Sequence, residues 1–201
     1  MKVYGFSTQG KRDYQQDNYL IDLDRNVFGV ADGMGGHQNG DLASQDVIDS
    51  FTNLKLVSEE GLKEAMHLAD AKCRHRQDRS GSTATFLAML EDEMIVAHVG
   101  DSRCYICDKD NIQQISDDHA GLWGRLTNYV GELEWIDLYQ LKSPPENLII
   151  VICTDGVSGS LSPEAIFSIV SLESTNPAKA LVQLAIESDS SDNCTALVIK
   201  L

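Results

Sequence analysis

The sequence predicts an α+β fold in which two antiparallel β-sheets pack together with helices on the outside. Three observations lead there. Short apolar runs bounded by turn residues recur through the chain, as strands do. Stretches with apolar residues at helical spacing interrupt the strands after residue 40 and again late in the chain. The connections within the central group of strands are only a few residues long, and connections that short join antiparallel neighbours.

Strands are expected at 3–7, 17–23 and 26–31, with Asp24 and Arg25 turning the second into the third. From about Gly40 the period changes. Leu42, Val47, Ile48 and Phe51 fall at helical spacing, and so do Leu62, Ala65, Met66 and Ala69, after Ser58 with Glu60 and Gly61 as start signals. Strands follow at 83–90, 94–99, 103–107 and 112–115, each expected to be antiparallel to the next. Their nearly unbroken apolar character predicts cover on both faces. Residues 116–146 are polar and irregular, carry Gly121, Gly124, Gly131, Pro144 and Pro145, and yield no element. A buried strand at 148–153 comes next. Ser162 before Pro163 and Asn176 before Pro177 each open a helix, the second running to about Glu187, and 194–200 closes the chain as a strand. One domain over 1–201 is expected, burying roughly 70% of its unfolded surface.

The formal charge of -15, from 31 acidic and 16 basic residues, argues against nucleic acid or an anionic membrane as a partner and suits a cation-binding protein. Acidic excess also serves solubility, so only particular carboxylates decide the matter. The first residues carry one lysine and no long apolar run, and the longest apolar stretch, 148–153, is far below the ~18 residues of a membrane span. A soluble, cytoplasmic protein is expected. Five cysteines without a secretory signal do not suggest a disulfide framework. Cys104 and Cys107 form a C-x-x-C inside a strand, with no second pair at zinc-site spacing, and read as buried small hydrophobes.

Two apolar strands end in the same dipeptide, placing Asp32 before Gly33 and Asp155 before Gly156. An aspartate at the end of a buried strand sets a carboxylate at the sheet's rim, and the glycine lets backbone approach whatever that carboxylate binds. Asp17 and Asp192 stand at strand starts. Ionised carboxylates gather only where a cation offsets their repulsion, and oxygen-only ligation favours Mg²⁺ or Mn²⁺ over zinc. Each Asp-Gly taken alone is also an ordinary turn.

The segments K-R-D-Y-Q-Q-D-N, V-A-D-G-M-G-G-H, S-G-S-T-A, H-V-G-D-S-R, D-D-H-A, C-T-D-G-V and S-D-N-C-T, running from about residue 7 to 199, resemble in order and spelling the protein phosphatase 2C family, and its compact bacterial members in particular. The resemblance implies a four-layer αββα sandwich and a metal-dependent serine/threonine phosphatase. Asp32 would bridge two Mn²⁺ or Mg²⁺ ions, and the Gly33 carbonyl with Asp17, Asp155 and Asp192 would complete their shells, partly through water. A metal-bridging hydroxide would attack phosphorus in line, with no phosphoenzyme. Arg12 matches the family's phosphate-binding arginine, and a guanidinium holds two phosphate oxygens at once.

Asp101 matches an aspartate that helps hold a third, weaker metal; its alternative is to cap its own turn. Gln16 and Gly159 stand where many relatives carry acidic residues, which weakens a water-mediated contact and the third site. Ser82 reads as a close-packed strand start without a base partner. His119 is expected to organise the site through hydrogen bonds, and His67, His75 and His98 to be structural. Met34 occupies the place of the eukaryotic proton donor, so His37 does not simply inherit that role, and acid catalysis by His37 stays open as the lesser alternative. The flap beside the active site is shortened at about 120–146, which bears on substrate preference. Implied partners are phosphorylated proteins, opposing a serine/threonine kinase, with the chain a monomer. Two rivals share the motifs: a phosphatase-like pseudoenzyme or phospho-binding module, whose expected mark is loss of a metal aspartate, and a hydrolase of small phosphate esters.

Overall fold

The computed structural model describes residues 1–34 and 39–201, so His37 lies outside the described residues. In chain order they form β1 (Lys2–Thr8), β2 (Asp17–Asp22), β3 (Val27–Met34), α1 (Gly40–Thr52), α2 (Glu59–Arg76), the two-residue β4 (Gly81–Ser82), β5 (Ala84–Met89), β6 (Glu93–Val99), β7 (Arg103–Cys107) and β8 (Ile112–Gln114). Then come β9 (Asp137–Lys142), β10 (Ile149–Cys153), the short α3 (Asp155–Ser158), α4 (Pro163–Ser171), α5 (Pro177–Glu187) and β11 (Cys194–Lys200). One sheet has the order β1-β11-β10-β7-β8. The other has the order β2-β3-β5-β6-β9, with β4 on β3. All pairings are antiparallel.

Strand periodicity explains the layering. Alternate side chains of a strand point to opposite faces. Phe28, Val30, Leu87 and Val96 meet Cys104, Ile150, Ile152, Leu197 and Ile199 in one buried cluster between the sheets. The other faces are covered by helices: Val27 and Phe86 pack with Val47, Phe51, Leu62 and Met66 of α1 and α2. Tyr105, Val151 and Val198 pack with Ile166, Leu181 and Val182 of α4 and α5. Phe51 and Phe86 stack with ring centroids 3.6 Å apart. Helix, sheet, sheet and helix are therefore the four layers, and the unbroken apolar strands follow from cover on both faces. Ser58, Ser162 and Asn176 cap α2, α4 and α5 through their side chains, as their positions in the sequence predict.

Two expectations fail, each for a physical reason. Strands 94–99 and 103–107 are not neighbours: β6 pairs with β5 and β9, while β7 pairs with β10 and β8. Gly100, at φ +103°, turns the chain from one sheet into the other. The corner is fixed to the first sheet where Thr85 Oγ1 donates to the Ser102 carbonyl at 3.0 Å and the Thr83 and Ser102 hydroxyls share a hydrogen bond of 2.6 Å. The stretch without a predicted element contains β9, an edge strand whose mixed D-L-Y-Q-L-K spelling reflects incomplete cover.

Cys104 faces the space between the sheets and Cys107 the helical side, as positions three apart in a strand must, so the two thiols do not converge. All five cysteines are free and buried, and burial pushes the Cys107 thiol up to about 12. No described helix is long and apolar enough to cross a membrane.

Candidate active site

The site grows from the ends of strands that belong to different sheets. Asp17 opens β2 and faces Asp32 directly across the ladder with β3. Gly33 follows, and its N–H donates to the Gln16 carbonyl at 3.0 Å. A Cβ there would stand 1.9 Å from the Gly40 carbonyl oxygen, so only glycine lets the start of α1 close onto the end of β3.

From the other sheet, β10 runs through Thr154 into Asp155, the first residue of α3. A Cβ on Gly156 would stand 1.9 Å from the Asn193 carbonyl oxygen, so the loop that carries Asp192 also packs against bare backbone. Asp101 enters from the corner between β6 and β7.

Asp32, Gly33, Asp101, Asp155 and Asp192 line one cleft of about 450 Å³ together with Arg12, and Asp17 is buried behind them at 3% exposure. Among the described residues Arg12 is the one cationic side chain in that lining, and it pairs with Asp192 through Nη2. Arg12 and Asp192, expected to hold phosphate and metal separately, are thus joined.

Polar neighbours from the same motif segments hold this floor. Thr154 and Thr195 donate their hydroxyls to Asp17 Oδ2 at 2.8 and 2.7 Å. Thr195 N–H in turn donates to Thr154 Oγ1 at 3.1 Å. The Asp32 N–H donates to Thr83 Oγ1 at 3.0 Å. Asn193 is buried: its Oδ1 accepts from the Gln16 N–H at 2.9 Å, and its Nδ2 donates to the Gln9 and Tyr14 carbonyls at 2.8 and 2.9 Å. One amide therefore ties the loop carrying Arg12 to the loop carrying Asp192. Thr83, Thr154, Asn193 and Thr195 all stand inside the motif segments, but the spelling of a segment does not say which side chains support an acid.

The electrostatics are those of crowded like charges. Burial raises the Asp32 carboxyl well above its ordinary value, and the charges of Asp17, Asp155, Asp192 and Asp101 raise it further. Asp17 is raised by burial against the opposing effect of its two threonine bonds. Asp155 is raised by burial and then by Asp192, and Asp101 is pushed up to about 7 by burial and then by Asp155. Arg12 is raised chiefly by its hydrogen bond to Asp192.

Among the described residues Asp17 Oδ1 and Asp155 Oδ1 are buried without a hydrogen-bond partner, a costly condition for a carboxylate in a protein interior. Among the described residues no three His, Cys, Asp or Glu side chains stand in a ready chelating group; the acids line the cleft instead of closing on one point. Unpartnered hard oxygens, mutual repulsion and a single arginine are nonetheless the conditions that a hard divalent cation relieves, and the donor set fits Mg²⁺ or Mn²⁺.

Asp101 lines the cleft from the corner between β6 and β7. His119 is buried; its Nε2 bonds Asp137 Oδ2 at 2.7 Å, and its Nδ1 accepts from the Gly100 N–H at 3.2 Å, holding the corner next to Asp101. His98 is buried between Thr85 and the Asp117 carbonyl, and burial lowers it to about 4. His67 and His75 are exposed on α2, away from the cleft lining. Ser82 donates its hydroxyl to the Thr83 carbonyl at 2.7 Å and is outside the cleft lining. Gly159 follows α3 and is exposed.

Comparison with known proteins points to one family. The family described as protein phosphatase 2C matches residues 10–121. A probable protein phosphatase 2C of Oryza sativa subsp. japonica is 27% identical over 250 residues, covering 98% of this chain and 75% of the relative. The serine/threonine phosphatase PstP/Ppp of Mycobacterium tuberculosis superposes with a TM-score of 0.91 at 22% identity, covering 100% of this chain and 98% of that one. The catalytic domain of PstP, solved in complex with 2 manganese ions, superposes with a TM-score of 0.85 at 23% identity, covering 98% of this chain and 96% of that one. These likenesses to solved structures establish the fold.

Proposed function

Because the chain belongs to the protein phosphatase 2C family and is a protein phosphatase, we propose that it hydrolyses phosphoserine and phosphothreonine with two divalent cations held in its acidic cleft. One observation carries this reading: carboxylates from both sheets and from the corner between them meet around one cleft, and two buried oxygens of that set lack partners. Asp32, with Asp17, Asp155, Asp192 and the Gly33 carbonyl, would hold two Mn²⁺ or Mg²⁺ ions, and Asp101 a third, weaker one. Bound there, the cations would supply Lewis acidity, lowering the pKa of a shared water so that hydroxide is available near neutral pH.

The chain's own residues do the rest. Thr154 and Thr195 occupy one oxygen of Asp17 and leave the other unpaired. Arg12 stands half exposed beside Asp192, and an incoming phosphoryl group competes for the same guanidinium donors. A fork of planar donors sets the orientation of that group as well as its affinity. Phosphorylated proteins are the partners on this reading, and a serine/threonine kinase is the opposing activity.

The test is phosphate release from a phosphothreonine peptide with and without Mn²⁺. Metal-dependent release is expected. Binding without turnover would replace the enzyme with a phospho-binding module, and turnover confined to small phosphate esters would make it a hydrolase of that class.

A further inference from the structure

The segment that follows His119 makes a small hairpin: Ala120 and Leu126 form a β-bridge, the Gly121 N–H donates to the Arg125 carbonyl at 2.8 Å, and the Gly124 N–H donates to the Gly121 carbonyl at 3.3 Å. Its base is anchored, since the His119 N–H donates to the Gly100 carbonyl at 2.8 Å and the Thr127 N–H to the His119 carbonyl at 2.8 Å. Its tip carries Leu122 at 86% exposure and Trp123 at 100%. Trp123 has φ +67° and Gly124 φ +70°. A left-handed conformation is disfavoured for a bulky aromatic residue, and here it coincides with the loss of every packing contact for the largest apolar side chain of the segment.

The tip is also continuous with the catalytic cleft, because Gly124 and Leu126 of the hairpin line it. Tyr14 lines the same cleft at 60% exposure, and its carbonyl is held by Asn193. The acidic floor is therefore bordered by the exposed Tyr14 on one loop and by the hairpin that carries Leu122 and Trp123 on another. Asp13 also lines the cleft, and a net charge of -15 makes the surroundings unfavourable to acidic peptides.

We propose that the 120–126 hairpin is a substrate-docking element on which Trp123 receives an apolar side chain flanking the phosphorylated residue. The phosphatase then prefers phosphopeptides with a leucine or phenylalanine beside the phosphoresidue over peptides with acidic or small polar flanks. An exposed tryptophan presents a large rigid face at low cost in side-chain entropy, which suits it to such an anchor. The inference rests on the phosphatase reading of the cleft.

The experiment compares wild type with Trp123→Ala on three substrates: a phosphothreonine peptide with leucine flanks, its counterpart with serine flanks, and p-nitrophenyl phosphate, which has no flanks. In wild type the leucine-flanked peptide is expected to be the better peptide substrate, with the preference in KM. Trp123→Ala should lower its kcat/KM about tenfold relative to that for p-nitrophenyl phosphate and erase the preference between the peptides. Equal use of the two peptides by wild type overturns the proposal, and so does a preference that survives in Trp123→Ala. A uniform loss on all three substrates also overturns it, because the tip would then serve only the fold of the site. Fluorescence anisotropy of the two labelled peptides gives a parallel reading of affinity. If wild type turns over none of the substrates, the phosphatase reading fails, and the docking proposal stands or falls on whether Trp123→Ala abolishes tighter binding of the leucine-flanked peptide.

Discussion

The floor of the cleft and the hairpin at its edge are built on opposite terms. On the floor, Asp17 is buried, hydrogen-bonded by two threonines and opposed in register to Asp32, while bare glycine backbone lets the supporting loops close in. At the edge, Leu122 and Trp123 touch almost nothing and are held only by the backbone bonds of their own small turn. Chemistry that must be the same for every substrate is placed where neighbours fix each atom, and the surface that meets different substrates is left free of neighbours. The contrast predicts that substitutions on the floor act on every substrate alike and substitutions at the edge act on some.

The largest effect should come from Asp32→Ala. Its loss is expected to lower kcat by about a thousandfold or more on peptides and on aryl phosphates together, since the chemistry common to all substrates is lost. The same removal takes away a carboxyl that burial and like charges oppose, so the folded variant should melt no lower than wild type in the presence of a chelator. A melting temperature well below wild type would mean that Asp32 serves the fold.

Arg12→Ala tests the boundary between the two regions. The guanidinium pairs with Asp192 yet is more than half exposed, at 57%. It should raise KM for every phosphorylated substrate about tenfold to a hundredfold, the range expected for a charge-assisted pair of hydrogen bonds, while calorimetry finds Mn²⁺ affinity nearly intact. Loss of Mn²⁺ affinity would show that the residue organises Asp192 and not the phosphate.

How much of this was legible in the sequence follows the same division. Asp17, Asp32, Asp155 and Asp192 could be read because strand ends and Asp-Gly pairs carry local signals, and the layered fold could be read because period and caps are local too. The exchange of sheets at Gly100 could not, since a short glycine turn spells a hairpin and a corner alike, and only long-range partners such as Thr85 with Ser102 decide between them. Strand β9 escaped because an edge strand covered on one side has no unbroken apolar run. Asn193 and the threonines around Asp17 stood inside the motifs, but their roles depend on which loops come together, and one sequence does not state that.

A smaller effect on the floor concerns a residue that never faces the cleft. Thr195→Val keeps the shape of the side chain while removing the donor to Asp17 Oδ2. Support of this kind is worth about tenfold in metal affinity. The expected signature is a higher Mn²⁺ requirement for activity with kcat restored at saturation. A fall in kcat that no Mn²⁺ concentration restores would place Thr195 closer to the chemistry than its hydrogen bonds suggest.

The smallest effect expected is on stability, and its sign follows from the raised carboxyls. Asp17 and Asp101 titrate higher in the folded chain than in the unfolded one, Asp101 at about 7 against 3.8. Between those limits the folded state binds more protons than the unfolded state, so the stabilising contribution is fully present below pH 3.8 and is lost as pH rises through about 7. In a chelator the melting temperature attributable to these groups should therefore fall as pH rises from 5 to 7.5, by more than about 3 °C for a chain of this size. Saturating Mn²⁺ favours the ionised acids of the floor and should flatten or reverse that slope. Trp123→Ala, at the exposed edge, should leave both slopes as they are. A slope in chelator that Mn²⁺ leaves unchanged would mean that acids elsewhere in the chain set it, and that the cleft carboxylates do not take up the cation.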